Sequence, residues 1–229
     1  MRQTESDNQA GRPLKPLELR DLGRIGYREA LDLQRELNRR RAEGSIPDQL
    51  LLLEHPPVIT MGKSAPQSHI LADPASLADA GVEVHQIERG GEATYHGPGQ
   101  LVGYVIINLH ERARSIKRFI ADLEQVFIDL LAEGYGLTAR RDHEHRGVWV
   151  GDDKITAVGI AIKHRTTLHG FAFNVNTNLE HFRWIVPCGI TSGGQTSLQQ
   201  LLGAPQDPEA VKRAVVRQFC RVFGYHEPG

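Results

Sequence analysis

The chain has 229 residues, with 27 basic and 28 acidic side chains and a formal net charge of −1. Such a balance argues against a general nucleic-acid-binding protein, which depends on a strongly positive surface. No apolar run approaches the roughly 18 residues of a transmembrane helix, and the polar N-terminus lacks the apolar core of a secretory signal. We expect a cytoplasmic protein with no membrane association, in which residues 1–18 form a flexible tail and residues 19–229 form one domain.

The first half of that domain contains one clear helix and three strand-like runs. Residues 26–44 place Ala30, Leu31 and Leu37 on one face, which predicts an amphipathic helix ending at Gly44. The runs QLLLLEH and PVITM predict two short buried strands, and LVGYVIINL predicts a central strand.

The second half of the domain contains two predicted helices and three predicted strands. Residues 115–134 predict a helix that begins at Ser115 and ends at Gly134. The runs GVWV, KITAVGIAI and LHGFAFNV predict three strands, and residues 208–223 predict a final helix. Because the strands arrive in groups, we expect an α+β fold with an antiparallel or mixed sheet flanked by helices.

The stretch RGGEATYHGPGQ, residues 89–100, combines backbone freedom with polar side chains. It is not a nucleotide motif: a P-loop ending in Gly62-Lys63-Ser64 would need glycine where Pro57 stands, and a dinucleotide fingerprint from Gly97 would need a small residue where Val102 stands. Glycines allow a ligand to approach the backbone closely, and Tyr95 and His96 supply an apolar wall and hydrogen-bonding groups. We therefore expect this stretch to cover a long, neutral ligand.

The sequence predicts no metal site. His143 and His145 flank Glu144, but neighbouring strand residues point to opposite faces, so RRDHEHR is interpreted as a solvated loop. His55, His69 and His96 have no second ligand at helical spacing.

Two cysteines are present, too few for a disulfide framework or a four-cysteine zinc site. Cys188 stands at a Pro-Cys-Gly corner and is either a packed residue or a nucleophile, whereas Cys220 is expected in the core. A nucleophilic cysteine needs a partner that favours its thiolate. Lys154, at the start of an apolar strand, could supply it, and so could His96.

Taken together, RGGEATYHGPGQLVGY, GVWVGDDKITAVGIAI, HGFAFNVNTNL and IVPCGI resemble the lipoyl(octanoyl) transferases. The resemblance covers about residues 20–224. It implies a single biotin/lipoate ligase-like catalytic domain that moves an octanoyl or lipoyl group from acyl carrier protein to a lysine of a lipoyl domain. No cofactor, and in particular no ATP, is expected.

The resemblance also implies the residues of the site. Cys188 matches the nucleophile, which would carry the acyl group as a thioester, and Lys154 matches its partner. The implied acyl pocket comprises Arg89, Gly90, Gly91, Glu92, Ala93, Thr94, Tyr95, His96, Ala157, Val158, Gly159, Gly170, Phe171 and Ala172.

The expected acceptors are the lipoyl domains of 2-oxo acid dehydrogenases and the glycine cleavage H protein, and the chain is expected to act as a monomer. Two alternatives stay open at this point. One is an ATP-dependent lipoate–protein ligase of the same fold, which would not need Cys188. The other is a non-catalytic binding module in which Cys188 is merely packed.

Overall fold

A mixed β-sheet carries most of the chain in the computed structural model, which describes residues 16–111, 115–142, 145–186 and 194–227. The strands in these ranges are β1 (Leu17–Arg24), β2 (Asp48–Glu54), β3 (Val58–Met61), β4 (Glu83–Gln86), β5 (Ala93–His96), β6 (Gln100–Ile106), β7 (Arg140–Arg141), β8 (Val148–Val150), β9 (Asp153–Lys163) and β10 (Thr166–Asn174). The α-helices are α1 (Tyr27–Ala42), α2 (Pro74–Asp79), α3 (Ile116–Tyr135), α4 (Leu198–Leu202) and α5 (Pro208–Phe223). Short 3₁₀ helices cover Gln67–His69 and Leu179–Trp184.

The main sheet has seven strands in the order β1-β2-β6-β10-β9-β8-β7. β1 runs parallel to β2, and every other pair in this sheet is antiparallel. A smaller sheet has the order β4-β3-β5, with β3 parallel to β4 and antiparallel to β5. The predicted α+β fold with a mixed sheet is confirmed.

Alternating residues of β2 show how both faces of the main sheet are buried. Leu50 and Leu52 pack with α3 and α5, whereas Leu51 and Leu53 pack with α1. Successive strand residues point to opposite faces, so the helices lie on the two sides of the sheet. Among the described helices, none combines the length and the apolar character needed to cross a membrane.

The predicted helices are confirmed, with small shifts at their ends. Ser115 caps α3 by accepting a hydrogen bond from the Arg118 N–H at 3.2 Å. The helix ends at Gly136, not at Gly134, because Gly136 adopts the left-handed conformation (φ 66°) that stops a helix. The final helix spans Pro208–Phe223, as its sequence pattern predicts.

Four of the described strands, β1, β4, β5 and β7, have no counterpart in the sequence-based expectation, and β1 and β5 show why. β1 begins at Leu17, within the predicted tail, and charged residues alternate through its sequence, so no apolar run marks it. β5 lies inside the glycine-rich stretch, and all four of its residues are buried although Thr94 and His96 are polar. Polar residues in both strands conceal the pattern on which strand prediction depends.

Candidate active site

A cavity of about 480 Å³ lies between the glycine-rich stretch and the main sheet. Its floor contains small residues on β9 and β10, which pair as Gly159 with Gly170 and Ala157 with Ala172. Paired and alternate residues share one face of a sheet, so these four positions form a contiguous patch without large side chains. None of these four residues therefore extends more than a methyl group from the sheet.

The two floor glycines differ in what surrounds them. A Cβ on Gly170 would lie 2.3 Å from the Gly103 carbonyl oxygen, which belongs to the backbone of β6. A Cβ on Gly159 would lie 3.3 Å from Cδ of Arg89, a side chain that can move. Strand packing thus requires glycine at position 170. At position 159, the absence of a side chain keeps the cavity wide.

Backbone hydrogen bonds fix the glycine-rich stretch over this floor. The Gly90 N–H donates to the Ile160 carbonyl of β9 at 3.1 Å. The Arg89 guanidinium is buried and donates to the Thr60 carbonyl at 2.9 Å, to the Thr60 hydroxyl at 3.0 Å and to the Gly90 carbonyl at 3.0 Å. Arg89 therefore ties the stretch to β3 while it lines the cavity.

Alternation along β5 divides the residues predicted to line the pocket. Thr94 and His96 face the cavity with Arg89, Gly90, Gly91 and Glu92. Ala93 and Tyr95 do not line it, because they point to the opposite face of β5, where both belong to a separate apolar cluster. The Tyr95 hydroxyl lies 2.7 Å from Nδ1 of His181. The expectation that Tyr95 forms a wall of the pocket is thus wrong.

A tight turn joins β5 to β6. The Gln100 N–H donates to the Gly97 carbonyl at 3.1 Å, and Gly99 has φ 81°. Proline at the second position and a glycine with positive φ at the third are typical of a type II turn. A Cβ on Gly99 would also meet the Asn176 carbonyl oxygen at 2.4 Å. This end of the glycine-rich stretch is therefore built for a turn, not for a ligand.

Three buried histidines lie at or near the cavity and are neutral at physiological pH. Burial is the main cause that lowers the pKa of His96 to about 3, of His55 to about 4 and of His169 to about 3. His96 Nδ1 lies 2.8 Å from Oε1 of Gln100, and His55 Nε2 lies 2.6 Å from the Tyr104 hydroxyl. A neutral His96 cannot supply the positive charge that would favour a thiolate, which leaves Lys154 as the better partner.

Lys154 lies on β9 and lines the cavity, although only 2% of its surface is exposed. The backbone N–H of Lys154 donates to the Gly194 carbonyl at 3.1 Å, and the backbone carbonyl of Lys154 accepts from the Thr196 N–H at 3.0 Å. Its Nζ lies 4.9 Å from the centroid of the Trp149 ring. The lysine that the sequence singles out is therefore a buried residue of the cavity wall, not a strand-end lysine in water.

Cys188 lies outside the described residues, but the chain on either side of it is placed. The Val186 N–H donates to the His69 carbonyl at 2.8 Å, and the Gly194 N–H donates to Oδ1 of Asp153 at 2.8 Å. Cys220 is confirmed as a core residue, because 1% of its surface is exposed and burial raises the pKa of its thiol to about 11.

Several cavity residues carried no local sequence signal. Six residues that the resemblance implies for the acyl pocket line the cavity: Ala157, Val158, Gly159, Gly170, Phe171 and Ala172. The wall also includes Tyr27, Ile87, Val102, Tyr104, Ile116, Ile120, His145, Arg146, Ile160 and His169. His145 and Arg146 correct the interpretation of RRDHEHR as a merely solvated loop. Tyr27 comes from α1, Val102 and Tyr104 from β6, and Ile116 and Ile120 from α3, and only the tertiary fold brings these elements together. Ile87 follows β4, and Ile160 and His169 lie on β9 and β10.

Comparison with known proteins places this geometry in a family. Residues 26–220 match the lipoyl protein ligase A/B catalytic domain. The chain is 52% identical over 204 residues to an octanoyltransferase from Caldicellulosiruptor bescii, covering 89% of this chain and 90% of the relative. It is 48% identical over 204 residues to an octanoyltransferase from Desulforamulus reducens, again covering 89% and 90%.

Solved structures support the same fold at low sequence identity. A lipoate complex of a P. falciparum protein superposes with a TM-score of 0.73 at 15% identity, covering 91% of this chain and 63% of that protein. A biotin protein ligase from Aquifex aeolicus gives 0.51 at 13% identity, covering 91% and 69%. These likenesses concern the fold, whereas the identity to the curated relatives concerns the family. The chain belongs to the octanoyltransferase family, whose fold is that of the lipoate and biotin protein ligases.

Proposed function

We propose that this chain transfers an octanoyl group from acyl carrier protein to a lysine of a lipoyl domain, and that Cys188 carries the group as a thioester. The observation that carries the proposal is the position of Lys154: a buried lysine in the cavity wall, hydrogen-bonded through its backbone to Gly194 and Thr196. Gly194 is six residues from Cys188 along the chain. Six residues span at most about 20 Å, a length that allows Cys188 to reach Lys154.

The cavity matches the acyl group in chemical character. Its floor is formed by glycines and alanines, and Val158, Ile160 and Phe171 add apolar surface. The three histidines near it are neutral, so they place no charge against a hydrocarbon chain. A largely apolar cavity with a few polar groups is typical of a site for a small, neutral ligand.

The first half-reaction exchanges one thioester for another. The Cys188 thiolate attacks the carbonyl carbon of the octanoyl thioester, a new C–S bond forms, and the bond to the sulfur of the carrier breaks. The departing thiolate takes a proton from the protonated Lys154, which becomes neutral. Because the bond broken and the bond formed are of the same kind, this step changes the free energy little.

The second half-reaction forms an amide. The amine of the acceptor lysine attacks the carbonyl carbon, neutral Lys154 takes up the proton that the amine loses, and the C–S bond to Cys188 breaks. The products are an octanoyl amide, the Cys188 thiolate and protonated Lys154, so the site returns to its starting state. Covalent catalysis thus separates a transfer between two large proteins into two steps that need only one partner at a time.

A single incubation tests the intermediate. The enzyme is mixed with octanoyl-acyl carrier protein without acceptor, and its intact mass is measured. The expected result is the addition of one octanoyl group, which hydroxylamine removes because it cleaves a thioester but not an amide. An adduct that resists hydroxylamine would overturn the proposed intermediate.

The two cysteines of the chain provide matched variants. Cys188→Ser is expected to abolish the adduct, since a serine hydroxyl is a far weaker nucleophile than a thiolate. Cys220→Ser is expected to form it normally, because Cys220 is buried in the core. Persistence of the adduct in Cys188→Ser would exclude Cys188 as the acyl carrier. Efficient transfer from free octanoate and ATP would favour a ligase instead.

A further inference from the structure

A row of three side chains crosses the edge of the main sheet beside the cavity. Trp149 on β8 pairs directly with Lys154 on β9 and with Arg140 on β7. Residues that lie directly opposite each other on antiparallel strands point to the same face. The three side chains therefore stand side by side, with the aromatic ring between two cations.

The contacts of Trp149 place its ring against the ammonium of Lys154. The Nζ of Lys154 lies 4.9 Å from the ring centroid, and the guanidinium carbon of Arg140 lies 5.8 Å from it. Only 3% of the surface of Trp149 and 2% of that of Lys154 are exposed, whereas the side chain of Arg140 is 48% exposed. Solvent weakens the contact of Arg140, so Lys154 is the cation that the ring affects most.

The ring is also held in place at its edge. The indole N–H donates to the His145 carbonyl at 3.1 Å, and His145 itself lines the cavity. Gly147 brings this loop close to the lysine: a Cβ there would lie 3.4 Å from Cδ of Lys154. The face of Trp149 is thus a fixed surface, and the ammonium of Lys154 rests on it.

We infer that Trp149 is the positioning residue for Lys154: its ring holds the protonated ammonium at the cavity wall. An aromatic ring attracts a cation through the negative charge above its face, and this attraction is strongest for tryptophan and for desolvated cations. The inference rests on the proposed function, in which Lys154 exchanges protons during both half-reactions. It adds that the aromatic ring, not the burial of Trp149 alone, keeps the lysine in place.

The sharpest test lowers the electron density over the face of the ring while changing its shape little. The chain has two tryptophans, Trp149 and Trp184, so the Trp184→Phe variant leaves Trp149 as the only position that fluorinated tryptophans can occupy. Successive fluorine atoms withdraw charge from the face of the ring. We expect kcat for octanoyl transfer to fall stepwise with the number of fluorines, relative to Trp184→Phe containing ordinary tryptophan, while KM for the donor changes little.

Substitution of Trp149 gives an independent comparison. Phenylalanine retains an aromatic face and leucine does not, yet both are apolar. Trp149→Leu is expected to lower kcat about tenfold more than Trp149→Phe, which corresponds to about 1.4 kcal/mol. Melting temperatures show whether both variants fold, and the fluorotryptophan series still decides the question if one of them does not.

The Lys154→Ala variant separates failure of this inference from failure of the proposed function. If Lys154→Ala is inactive but kcat does not respond to ring fluorination, and the leucine and phenylalanine variants are equally active, the role of Trp149 is overturned and that of Lys154 stands. If Lys154→Ala transfers octanoyl groups at the wild-type rate, the proposed mechanism fails and the role of Trp149 fails with it.

Discussion

Lys154 and Gln195 form a parallel β-bridge, so the catalytic lysine that we propose and the chain that follows Cys188 are held together by the backbone. The bridge uses main-chain groups of β9 and leaves the side chain of Lys154 available to the cavity. Asp153 adds a second link, because its carboxylate accepts the Gly194 N–H at 2.8 Å. Two neighbouring residues of β9 thus link the wall of the cavity to one end of the segment that contains the proposed nucleophile.

Replacement of Lys154 is expected to remove most of the activity without unfolding the protein. Lys154→Met retains much of the aliphatic stem but no ammonium, and we expect kcat to fall by about 10² to 10⁴ through loss of proton transfer. Alkylation of Cys188 by iodoacetamide, measured in a Cys220→Ser background, should require a higher pH than in the parent. An alkylation profile identical to that of the parent would mean that Lys154 does not favour the thiolate.

Replacement of Gly159 by a larger residue is expected to shift the preference of the enzyme towards shorter acyl chains. Its Cβ would approach the movable Arg89 side chain, so Gly159→Val should fold and narrow the cavity. The expected result is a larger loss of kcat/KM for octanoyl than for butanoyl carrier protein. An equal loss of kcat/KM for both donors would show that residue 159 does not determine the preferred acyl-chain length.

Gly170 supplies the contrast. A Cβ there would meet the backbone oxygen of Gly103 at 2.3 Å, so Gly170→Val is expected to disturb the pairing of β6 with β10. Its melting temperature should fall and its activity should drop with every donor. A folded Gly170→Val with altered chain-length preference would contradict this assignment.

Stability is expected to fall as the pH drops below about 6. The folded-state pKa values of His55, His96 and His169, about 4, 3 and 3, lie below the value of about 6.5 in an unfolded chain. Between these limits the unfolded state binds more protons, so each histidine lowers the free energy of unfolding by up to about 1.4 kcal/mol per pH unit of acidification. Urea unfolding at a series of pH values measures the slope.

A single substitution tests the origin of that slope. His96→Gln removes one titrating ring and should reduce the pH dependence between pH 6 and 4. His164→Asn, which replaces an exposed histidine at a position with φ 51° that asparagine tolerates, is the control variant. Equal slopes for both variants would place the acid sensitivity elsewhere.

Salt dependence can show whether a basic cluster guides the carrier protein that we propose as donor. The first cluster comprises Arg35, Arg39, Arg40 and Arg41, and the second comprises Arg140, Arg141 and Arg146. In the first cluster, Arg39 pairs with Glu36 and Glu43, and Arg41 is buried against Asp48 and Glu111. These carboxylates offset much of its positive charge.

In the second cluster, the exposed Arg146 lines the cavity itself. Arg146→Gln should therefore lower kcat/KM and flatten its dependence on salt, whereas Arg40→Gln, which changes an exposed residue of the first cluster, should do neither. If the wild-type kcat/KM does not change with salt, long-range steering plays no part.

The sequence predicts those parts of the fold that carry periodic apolar residues. The helix at residues 208–223 and the strand runs around Lys154 and Gly170 are found where expected, because burial on one face imposes a regular spacing. β5 is hidden because Thr94 and His96 are polar residues in a buried strand. Its alternation decides which members of the glycine-rich stretch face the cavity.

The site is less accessible to sequence reasoning than the fold. Tyr27 and Ile120 reach the cavity from helices that lie far from the glycine-rich stretch along the chain, and only long-range packing brings them there. The environment of Lys154 shows the same limit. A lysine at the start of an apolar run could be exposed, and its burial depends on Trp149 and on the chain around Gln195.

β1 has a consequence for how the N-terminus can be shortened. It covers the outer edge of β2, whose residues Leu50 to Leu53 are fully or almost fully buried. An N-terminal truncation that removes β1 would leave backbone groups of β2 unpaired. Such an exposed edge can pair with a strand from another molecule. Truncated forms that lack β1 should therefore aggregate, although β1 contributes no residue to the cavity wall.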